Sequence, residues 1–383
     1  MAEYVHQPIT GPQAFRETGT AAVESQAALL LLLGRQLRGD DQALAARAAA
    51  ADMSAAIEAV PSDDLAQFPV PRLRPSRDRV GVTLVETRLA ERFGARIVRR
   101  ATIPQEERPD VLGDLAQTLF ERSEPVAAAE LMEASLRSPD ELTRVAAAAA
   151  YFELSTRPKR LITILVRGTR SEDTLVQTVA ATALARIAPE HPRLRQMTRA
   201  KTAGSAGETS HSALLVHGTF ARSHEWWQPG GSFHSYLRNN VRSDLYAAGD
   251  RFEWSGGYSD AARDVGARDL RTWVENRNLQ GLDLFGHSHG ANVIMQATKF
   301  GLRAGALVLL SCPVHVPKYL PDFGRTTKVV SIRVHLDLVI LADLGGQRFR
   351  HPQIHENVLP IWFDHGASHN PEVWRDNNVP AML

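Results

Sequence analysis

The chain has 383 residues, long enough for two or three domains with sizeable hydrophobic cores. Its 44 Lys and Arg residues nearly balance 43 Asp and Glu residues, so the formal net charge of +1 gives no signature of a nucleic-acid-binding protein. Hydrophobic residues make up 44% and charged residues 23%, which excludes a mostly disordered chain. The single cysteine, Cys312, excludes an internal disulfide and a metal site built on several thiolates.

The amino-terminal region gives no indication of export. The first 20 residues lack the basic start and apolar run of a secretory signal. The longest apolar run, Ala27 to Leu33, has seven residues, whereas a membrane-spanning helix needs about 20. We therefore predict that this run is a buried helix and that the chain has no transmembrane segment. Together with the lone cysteine, these features predict a cytoplasmic protein.

Composition divides the chain near residue 205. Residues 1–200 are rich in Ala, Leu, Arg and Glu and predict an all-α domain. Residues 201–211 are small and polar and predict a linker. Residues 212–383 contain Val and Leu runs typical of strands, together with all six tryptophans, and predict an α/β domain.

The first part contains an internal repeat of helix, turn and helix. Leu119–Ser123 (LFERS) resembles Tyr151–Ser155 (YFELS), which lies 32 residues later. Asp140 and Asp173 occupy positions expected of helix N-caps. The predicted helices are about 109–122, 125–137, 140–154, 158–167 and 172–187, and residues 22–60 and 82–99 are also helix-like. The pattern resembles HEAT-like α-solenoid repeats, in which each unit buries its apolar face against the next. This resemblance implies a packed helical domain, a surface for a protein partner or a wall over an active site.

The second part alternates strands with helices, which predicts a mostly parallel sheet flanked by helices. Right-handed crossovers would place the carboxyl ends of the strands along one edge, where the sites of open α/β sheets lie. The predicted strands are Ser212–His217, Arg251–Trp254, Leu282–Phe285, Ala304–Ser311, Lys328–Val334 and Val358–Phe363. The predicted helices are Ser232–Val241, Asp260–Val274, Ser288 to about Phe300, and a short one opened by Asn370 and Pro371.

Residues Gly286–Gly290 (GHSHG) fit the pattern G-x-S-x-G between a predicted buried strand and a predicted helix. This context is typical of a nucleophile elbow, a sharp turn that strains the serine backbone and raises its hydroxyl clear of the sheet. The two glycines relieve the crowding of such a turn, and the helix N-terminus favours negative charge there. Ser288 is therefore the candidate nucleophile.

Residues Val216–Phe220 (VHGTF) close the first strand of this part, about 70 residues before the elbow. Acyl transfer needs two amide donors aimed at the oxyanion that develops on the substrate. We predict that the amides of Thr219 and of His289, the residue after the nucleophile, provide them. His217 and His287 then have local supporting roles. Because no helical pair of ligands accompanies these histidines, we predict neither a metal site nor a cofactor.

Together, the His-Gly-Thr turn and the Gly-His-Ser-His-Gly elbow resemble the α/β-hydrolase superfamily, nearest to its lipase- or esterase-like serine hydrolases. The resemblance covers about residues 210–383 and implies catalytic residues in the order Ser, Asp or Glu, then His. The first two strands usual in that superfamily have no obvious place between 200 and 211. Either the sheet begins at Ser212, which we favour, or Arg79–Thr87 contributes a strand.

The resemblance also implies where the acid lies. It should follow the predicted strand Lys328–Val334, and Asp337 is three residues past the end of that strand. Its role would be to fix the tautomer of the catalytic imidazole and to stabilise the imidazolium. Asp343 and Asp322 compete for this role.

The base should follow the last predicted strand, Val358–Phe363. Two histidines fit, His365 and His369. Asn370 is the predicted N-cap of the final helix, so His365 precedes the cap by five residues and His369 by one. We favour His365, and the other histidine would then line the pocket.

Aromatic residues at the expected site edge suggest the substrate. Trp226 and Trp227 follow the oxyanion loop and Tyr258 follows a predicted strand end, so we predict an apolar wall around the acyl group. The sequence thus predicts a serine hydrolase of small-molecule or lipid-like carboxylic esters; a thioesterase or an amidase would use the same triad. The alternative is a protein-interaction scaffold, in which the repeats are the working part and the hydrolase domain is inactive or accessory.

Overall fold

The computed structural model describes residues 4–38, 60, 62–74, 110–152, 154–155, 158–198, 212–247 and 250–383. The chain divides into two compact units, one formed by Met1–Ala188 with Leu341–Leu344 and the other by Pro189–Ile340 with Gly345–Leu383. The predicted linker 201–211, the helix-like stretch 82–99 and the alternative strand Arg79–Thr87 lie outside the described residues. The predicted domain boundary therefore stays a prediction.

The first unit is helical. Its helices are α1 (Thr20–Arg38), α2 (Ser62–Gln67), α3 (Val111–Arg122), α4 (Pro125–Ser135), α5 (Glu141–Tyr151), α6 (Pro158–Gly168) and α7 (Thr174–Ile187), and a 3-10 helix spans Gly11–Phe15. Helices α3 to α7 match the five predicted repeat helices to within a few residues. The prediction that residues 22–60 are helical holds as far as Arg38, and residues 39–59 lie outside the described part. The relation of α3 to α7 to HEAT-like repeats stays a prediction.

The apolar run from Ala27 to Leu33 forms the middle of α1. Every residue from Ala27 to Leu33 is at most 4% exposed, which confirms the predicted buried helix. Helix α1 packs on α5, and the contact requires a glycine, because a Cβ on Gly34 would lie 2.7 Å from the Cα of Ala150. None of the helices in the described part of the chain is long and apolar enough to cross a membrane.

Two aspartates cap helices of this unit as predicted. Oδ1 of Asp140 accepts a hydrogen bond from the amide of Thr143 at 2.8 Å. Oδ1 of Asp173 accepts from the amides of Leu175 and Val176 at 2.8 and 3.1 Å. Each side chain satisfies amides of the first turn that have no partner within the helix.

The second unit is built on a parallel sheet whose strands lie in sequence order, five of them among the described residues. The strands are β1 (Ala213–Val216), β2 (Leu282–His287), β3 (Ala304–Leu310), β4 (Lys328–His335) and β5 (His355–Trp362). The helices after α7 are α8 (Pro192–Met197), α9 (Ser232–Asn240), α10 (Asp260–Asn276), α11 (His289–Lys299), α12 (Leu338–Asp343) and α13 (Pro371–Asp376), with 3-10 helices at Phe323–Arg325, Ala367–His369 and Val379–Met382. The predicted fold class, a parallel α/β sheet with helices preceded by a helical region, is confirmed.

One predicted strand, Arg251–Trp254, is wrong, because this segment is irregular. Its polar groups bond to the loop after β1 rather than to a strand: Nε1 of Trp254 donates to the carbonyl oxygen of His217 at 2.8 Å. β1 is an edge strand of the sheet. On its outer side, the described residues contribute an isolated parallel β-bridge between Ala213 and Leu245 and no further strand. The last strand, β5, also begins three residues earlier than predicted.

Candidate active site

The predicted site residues follow the carboxyl ends of four parallel strands, which meet at one edge of the sheet. Thr219 follows β1, Ser288 follows β2, Asp337 follows β4 and His365 follows β5. Backbone strain occurs at the same edge, since a non-glycine residue with positive φ follows every strand: Phe220, Ser288, Ser311, Leu336 and Phe363. Such conformations persist only where the surroundings hold them, and they cluster at functional sites.

The turn at Ser288 has the backbone geometry of a nucleophile elbow. Its φ of 53° and ψ of −129° lie outside the usual regions for a side-chain-bearing residue, and α11 begins at the next residue. Both glycines of the motif are required by close contacts. A Cβ on Gly286 would lie 2.6 Å from the Cα of Ala291, and one on Gly290 would lie 2.5 Å from the carbonyl oxygen of His217.

Ser288 is less accessible than the sequence predicted. The residue is only 6% exposed, whereas we expected a hydroxyl raised clear of the sheet. The reason is the loop after β1, which packs so closely that a Cβ on Gly218 would lie 2.9 Å from the Cβ of Ser288. Within the described residues the serine hydroxyl makes no hydrogen bond to an imidazole; such catalytic bonds are commonly longer before substrate binds.

The two predicted oxyanion donors belong to neighbouring, hydrogen-bonded residues. Oγ1 of Thr219 lies 2.9 Å from Nδ1 of His289. The next amide, that of Phe220, donates to the carbonyl oxygen of Gly256 at 3.0 Å and is therefore committed to the loop. His289 is the first residue of α11, so its amide has no carbonyl partner within its own helix.

His217 and Trp227 form part of the core beneath this loop. Both are fully buried, with ring centroids 4.6 Å apart, and burial lowers the pKa of His217 to about 4. Nε1 of Trp227 donates to the carbonyl oxygen of Ala221 at 2.9 Å. The predicted supporting role of His217 agrees with this position. Trp227 has no exposed surface in this structure, and its predicted substrate contact stays a prediction.

The candidate acid and base meet in a buried pair. Asp337 is 1% exposed and His365 5% exposed, and Nδ1 of His365 lies 2.7 Å from Oδ2 of Asp337. The other carboxylate oxygen, Oδ1, accepts the amides of Val339 and Ile340 at 3.0 and 3.2 Å at the start of α12. The carboxylate is therefore held from both sides. Of the competing aspartates, Asp322 caps a 3-10 helix instead, accepting from the amide of Gly324 at 3.0 Å, and Asp343 ends α12.

His369 lies in an aromatic cluster rather than at the acid. Its ring centroid is 4.1 Å from that of Trp226 and 4.2 Å from that of His287. Burial, assisted by the neighbouring His365, lowers the pKa of His369 to about 3. Burial also lowers the pKa of His287 well below its usual value, and its Nε2 donates to the carbonyl oxygen of His365 at 3.3 Å. Both imidazoles are packed beside the candidate base, and their burial favours the neutral form of each.

Two of the three predicted aromatic residues are half-buried beside the candidate site. The ring of Trp226 contacts those of His287 and His369. The ring of Tyr258 meets that of His289 edge-on, with centroids 5.4 Å apart. Each retains some exposed surface next to a residue of the predicted machinery.

Sequence reasoning missed Gln347. This side chain is fully buried and hydrogen-bonds to the main chain of Asp337. It lies in an irregular Gly-Gly-Gln-Arg stretch without hydrophobic periodicity, so no local signal indicates its role. Likewise, the sequence suggested the amide of Thr219 as a donor but not the bond from its hydroxyl to His289.

Comparison with known proteins gives two distant structural similarities. No protein-family model matches it, and no curated protein does. One similar solved structure is described as an extracellular alpha/beta-hydrolase from a Paenibacillus species, with structural and functional homology to tobacco salicylic acid binding protein 2; it is 19% identical, with a TM-score of 0.21, over 28% of this chain and 43% of that one. The match therefore spans less than half of that protein. Another, an uncharacterized protein from Bacillus cereus, is 11% identical with a TM-score of 0.24, over 64% of this chain and 89% of that one. Neither similarity assigns an activity.

Proposed function

We propose that this protein is a serine hydrolase that cleaves carboxylic esters through an acyl-enzyme on Ser288. The observation that carries the proposal is the buried 2.7 Å contact between Nδ1 of His365 and Oδ2 of Asp337. It lies at the strand ends that also hold the strained serine. An imidazole held through Nδ1 keeps Nε2 available as a base.

In the first half-reaction, Nε2 of His365 takes the hydroxyl proton of Ser288 as Oγ attacks the ester carbonyl carbon. The Asp337 carboxylate fixes the imidazole tautomer and stabilises the imidazolium that forms. The amides of Thr219 and His289 donate to the oxyanion of the tetrahedral intermediate. The ester C–O bond then breaks, and the imidazolium gives its proton to the departing alcohol.

In the second half-reaction, water attacks the acyl-enzyme. Nε2 of His365 takes a proton from that water, the bond from the acyl carbon to Oγ of Ser288 breaks, and the serine recovers its proton from the imidazolium. The carboxylic acid leaves. No metal or cofactor takes part in this scheme.

We assign the substrate to small-molecule or lipid-like esters. Trp226 offers partly exposed aromatic surface beside His369, and Tyr258 offers it beside His289. Such surface suits an apolar acyl chain. Thioesters and amides undergo the same chemistry with the same residues. A panel of nitrophenyl esters of increasing chain length, with a thioester and an anilide of the best acyl group, ranks these substrates.

Labelling with a fluorophosphonate probe tests the proposal. The wild type should react and Ser288→Ala should not. Ser311→Ala is the matched control, because Ser311 is also buried, also has a positive φ and follows the neighbouring strand; it should react like the wild type. Absence of labelling in the wild type would contradict the proposal and favour the interaction scaffold. Equal labelling of Ser288→Ala would assign the chemistry to another residue.

The proposed arrangement is a HEAT-like helical-repeat domain over 1–200, a linker over 201–211 and a catalytic domain over 212–383, in a cytoplasmic protein whose repeats bind a protein partner. Limited proteolysis of the full chain tests the boundary. We expect first cleavage within 201–211 and two protease-resistant fragments. First cleavage inside either proposed domain would contradict this division.

A further inference from the structure

The side chain of Gln347 makes hydrogen bonds to both main-chain polar groups of Asp337, the proposed catalytic acid. This side chain is fully buried. Oε1 accepts a hydrogen bond from the amide of Asp337 at 3.1 Å, and Nε2 donates to the carbonyl oxygen of the same residue at 3.3 Å. Asp337 lies after the end of β4, where no neighbouring strand of the described structure bonds its main chain. The side-chain amide of Gln347 bonds its N–H and C=O groups instead.

A buried arginine fixes the orientation of that amide. Nη2 of Arg333, on β4, donates to Oε1 of Gln347 at 3.1 Å, and Arg333 is 3% exposed. Because a guanidinium group can only donate, the atom facing it must be the oxygen of the glutamine. The amide nitrogen is then directed to the carbonyl oxygen of Asp337, and the flipped arrangement would lose both bonds to Oε1. Nη1 of Arg333 is in turn 3.7 Å from Oε1 of Glu356 on β5.

The backbone at this point needs such support. Leu336, immediately before the acid, has a positive φ of 43°, a conformation that a branched side chain adopts at a cost. The amide of Leu338, immediately after it, donates to the carbonyl oxygen of Phe363 at 3.2 Å. Between these two points, the Gln347 side chain bonds the peptide groups of Asp337 itself.

We propose that Gln347 is a positioning residue for the proposed hydrolase, one that sets the Asp337 carboxylate and, through it, the orientation of His365. It acts through the acid and does not touch the substrate. This inference rests on the proposed function. It implies that removing the amide changes the behaviour of a histidine to which Gln347 makes no bond in the described structure.

Gln347→Met tests the inference, because methionine has a similar volume and neither hydrogen bond. We expect kcat on the best nitrophenyl ester to fall about 10- to 100-fold with KM within about twofold. We also expect the acid limb of the pH profile of kcat/KM to move to lower pH by at least half a unit, because a misplaced carboxylate stabilises the imidazolium less well. Gln347→Glu keeps an acceptor for Asp337 and Arg333 but puts a second acceptor oxygen against the carbonyl oxygen of Asp337, so kcat should fall in this variant too.

Gln296→Met is the matched control. Nε2 of Gln296 donates to Oδ1 of Asp264 at 3.2 Å. The change therefore also removes a side-chain amide and its hydrogen bond from this unit, but leaves the acid loop intact. Its pH profile should equal that of the wild type. Active-site titration with the fluorophosphonate probe corrects each kcat for the folded fraction.

A Gln347→Met enzyme with a lower melting temperature but a wild-type kcat and acid limb would overturn the inference, since the role would then be structural only. If that variant does not fold, Gln347→Glu decides: a wild-type kcat and an unmoved limb contradict positioning. Hydrolysis that depends on Ser288 but not on Gln347 would contradict this inference and leave the proposed function standing. Hydrolysis that does not depend on Ser288 sinks the proposed function, and this inference with it.

Discussion

Gly218 packs so closely against the Cβ of Ser288 that it leaves no room for a side chain of its own. A Cβ on Gly218 would lie 2.9 Å from the Cβ of Ser288 and 3.0 Å from the carbonyl oxygen of His287. Only a hydrogen atom fits at position 218, because carbon atoms that are not bonded do not approach so closely. The contact fixes the distance between the loop after β1, which carries the Thr219 amide, and the strained turn at Ser288.

This contact predicts the effect of Gly218→Ala. The added methyl group must push the loop away from the serine, and the Thr219 amide, one of the two proposed oxyanion donors, moves with the loop. We expect kcat/KM to fall about 100-fold, as for the loss of one donor, while the melting temperature changes by a few degrees. Gly324→Ala, in an exposed turn, is the control and should retain wild-type kinetics. Equal kinetics in the two variants would show that the contact has no catalytic role.

A second prediction concerns the hydroxyl of Thr219 and its effect on kcat/KM. Its 2.9 Å bond to Nδ1 of His289 ties the two proposed oxyanion donors together. Thr219→Val keeps the shape but removes this bond, and kcat/KM should fall about tenfold. Thr219→Ser keeps the hydroxyl and should retain most of the activity. A valine variant with the wild-type kcat/KM would contradict a role for this hydrogen bond.

The two late histidines should respond differently to the same substitution. His365→Gln removes the proposed base, which contacts Asp337, and should reduce kcat by about 10⁴-fold or more. His369→Gln alters only the cluster around Trp226 and should reduce kcat less than tenfold. Steady-state kinetics of both variants, with tryptophan fluorescence as a check of folding, distinguish the outcomes. The reverse order of the two effects would reassign the base to His369.

Acid should destabilise the α/β unit through its buried histidines. Burial lowers the pKa of His217 to about 4, against about 6.5 in an unfolded chain. Between these values the unfolded state binds more protons than the folded state, so the free energy of unfolding falls as the pH is lowered from about 6.5 to about 4. One such histidine contributes a slope of at most about 1.4 kcal/mol per pH unit.

Urea unfolding measured between pH 4 and pH 7.5 checks this dependence. All six tryptophans lie between residues 226 and 374, so fluorescence reports on the α/β unit. The variant His217→Gln should show a smaller slope below pH 6.5 than the wild type. A slope unchanged by the substitution would mean that His217 does not stay neutral in the folded state.

A capping prediction tests the helical unit. Asp173→Ala removes a side chain that accepts two amides at the start of α7, and should lower the free energy of unfolding of this unit by about 1 kcal/mol. Asp173→Asn should lower it less. Asp110 precedes α3 but makes no capping bond with its side chain, so Asp110→Ala is the control. Thermal unfolding followed by far-ultraviolet circular dichroism measures the three changes, and equal losses in Asp173→Ala and Asp110→Ala would contradict the capping role.

The sequence by itself was sufficient for features that depend on neighbouring residues. The buried helix at Ala27 to Leu33, the caps at Asp140 and Asp173, and the turn around Ser288 are local. Each is set by hydrophobic spacing, by a side chain within reach of its own helix, or by glycines beside a crowded turn. The alternation of apolar runs with helical segments likewise indicated a parallel sheet.

Only the tertiary structure separated residues that look alike in the sequence. His365 and His369 are four residues apart, yet one lies against Asp337 and the other against Trp226. Trp226 and Trp227 are adjacent, yet only the second is fully buried. The two histidines differ within the loop after β5, and the two tryptophans differ within the segment between β1 and α9. The contacts that separate them have no signal in local spacing. Gln347 shows the same limit, because its partners are defined by the strand β4 and the turn after it.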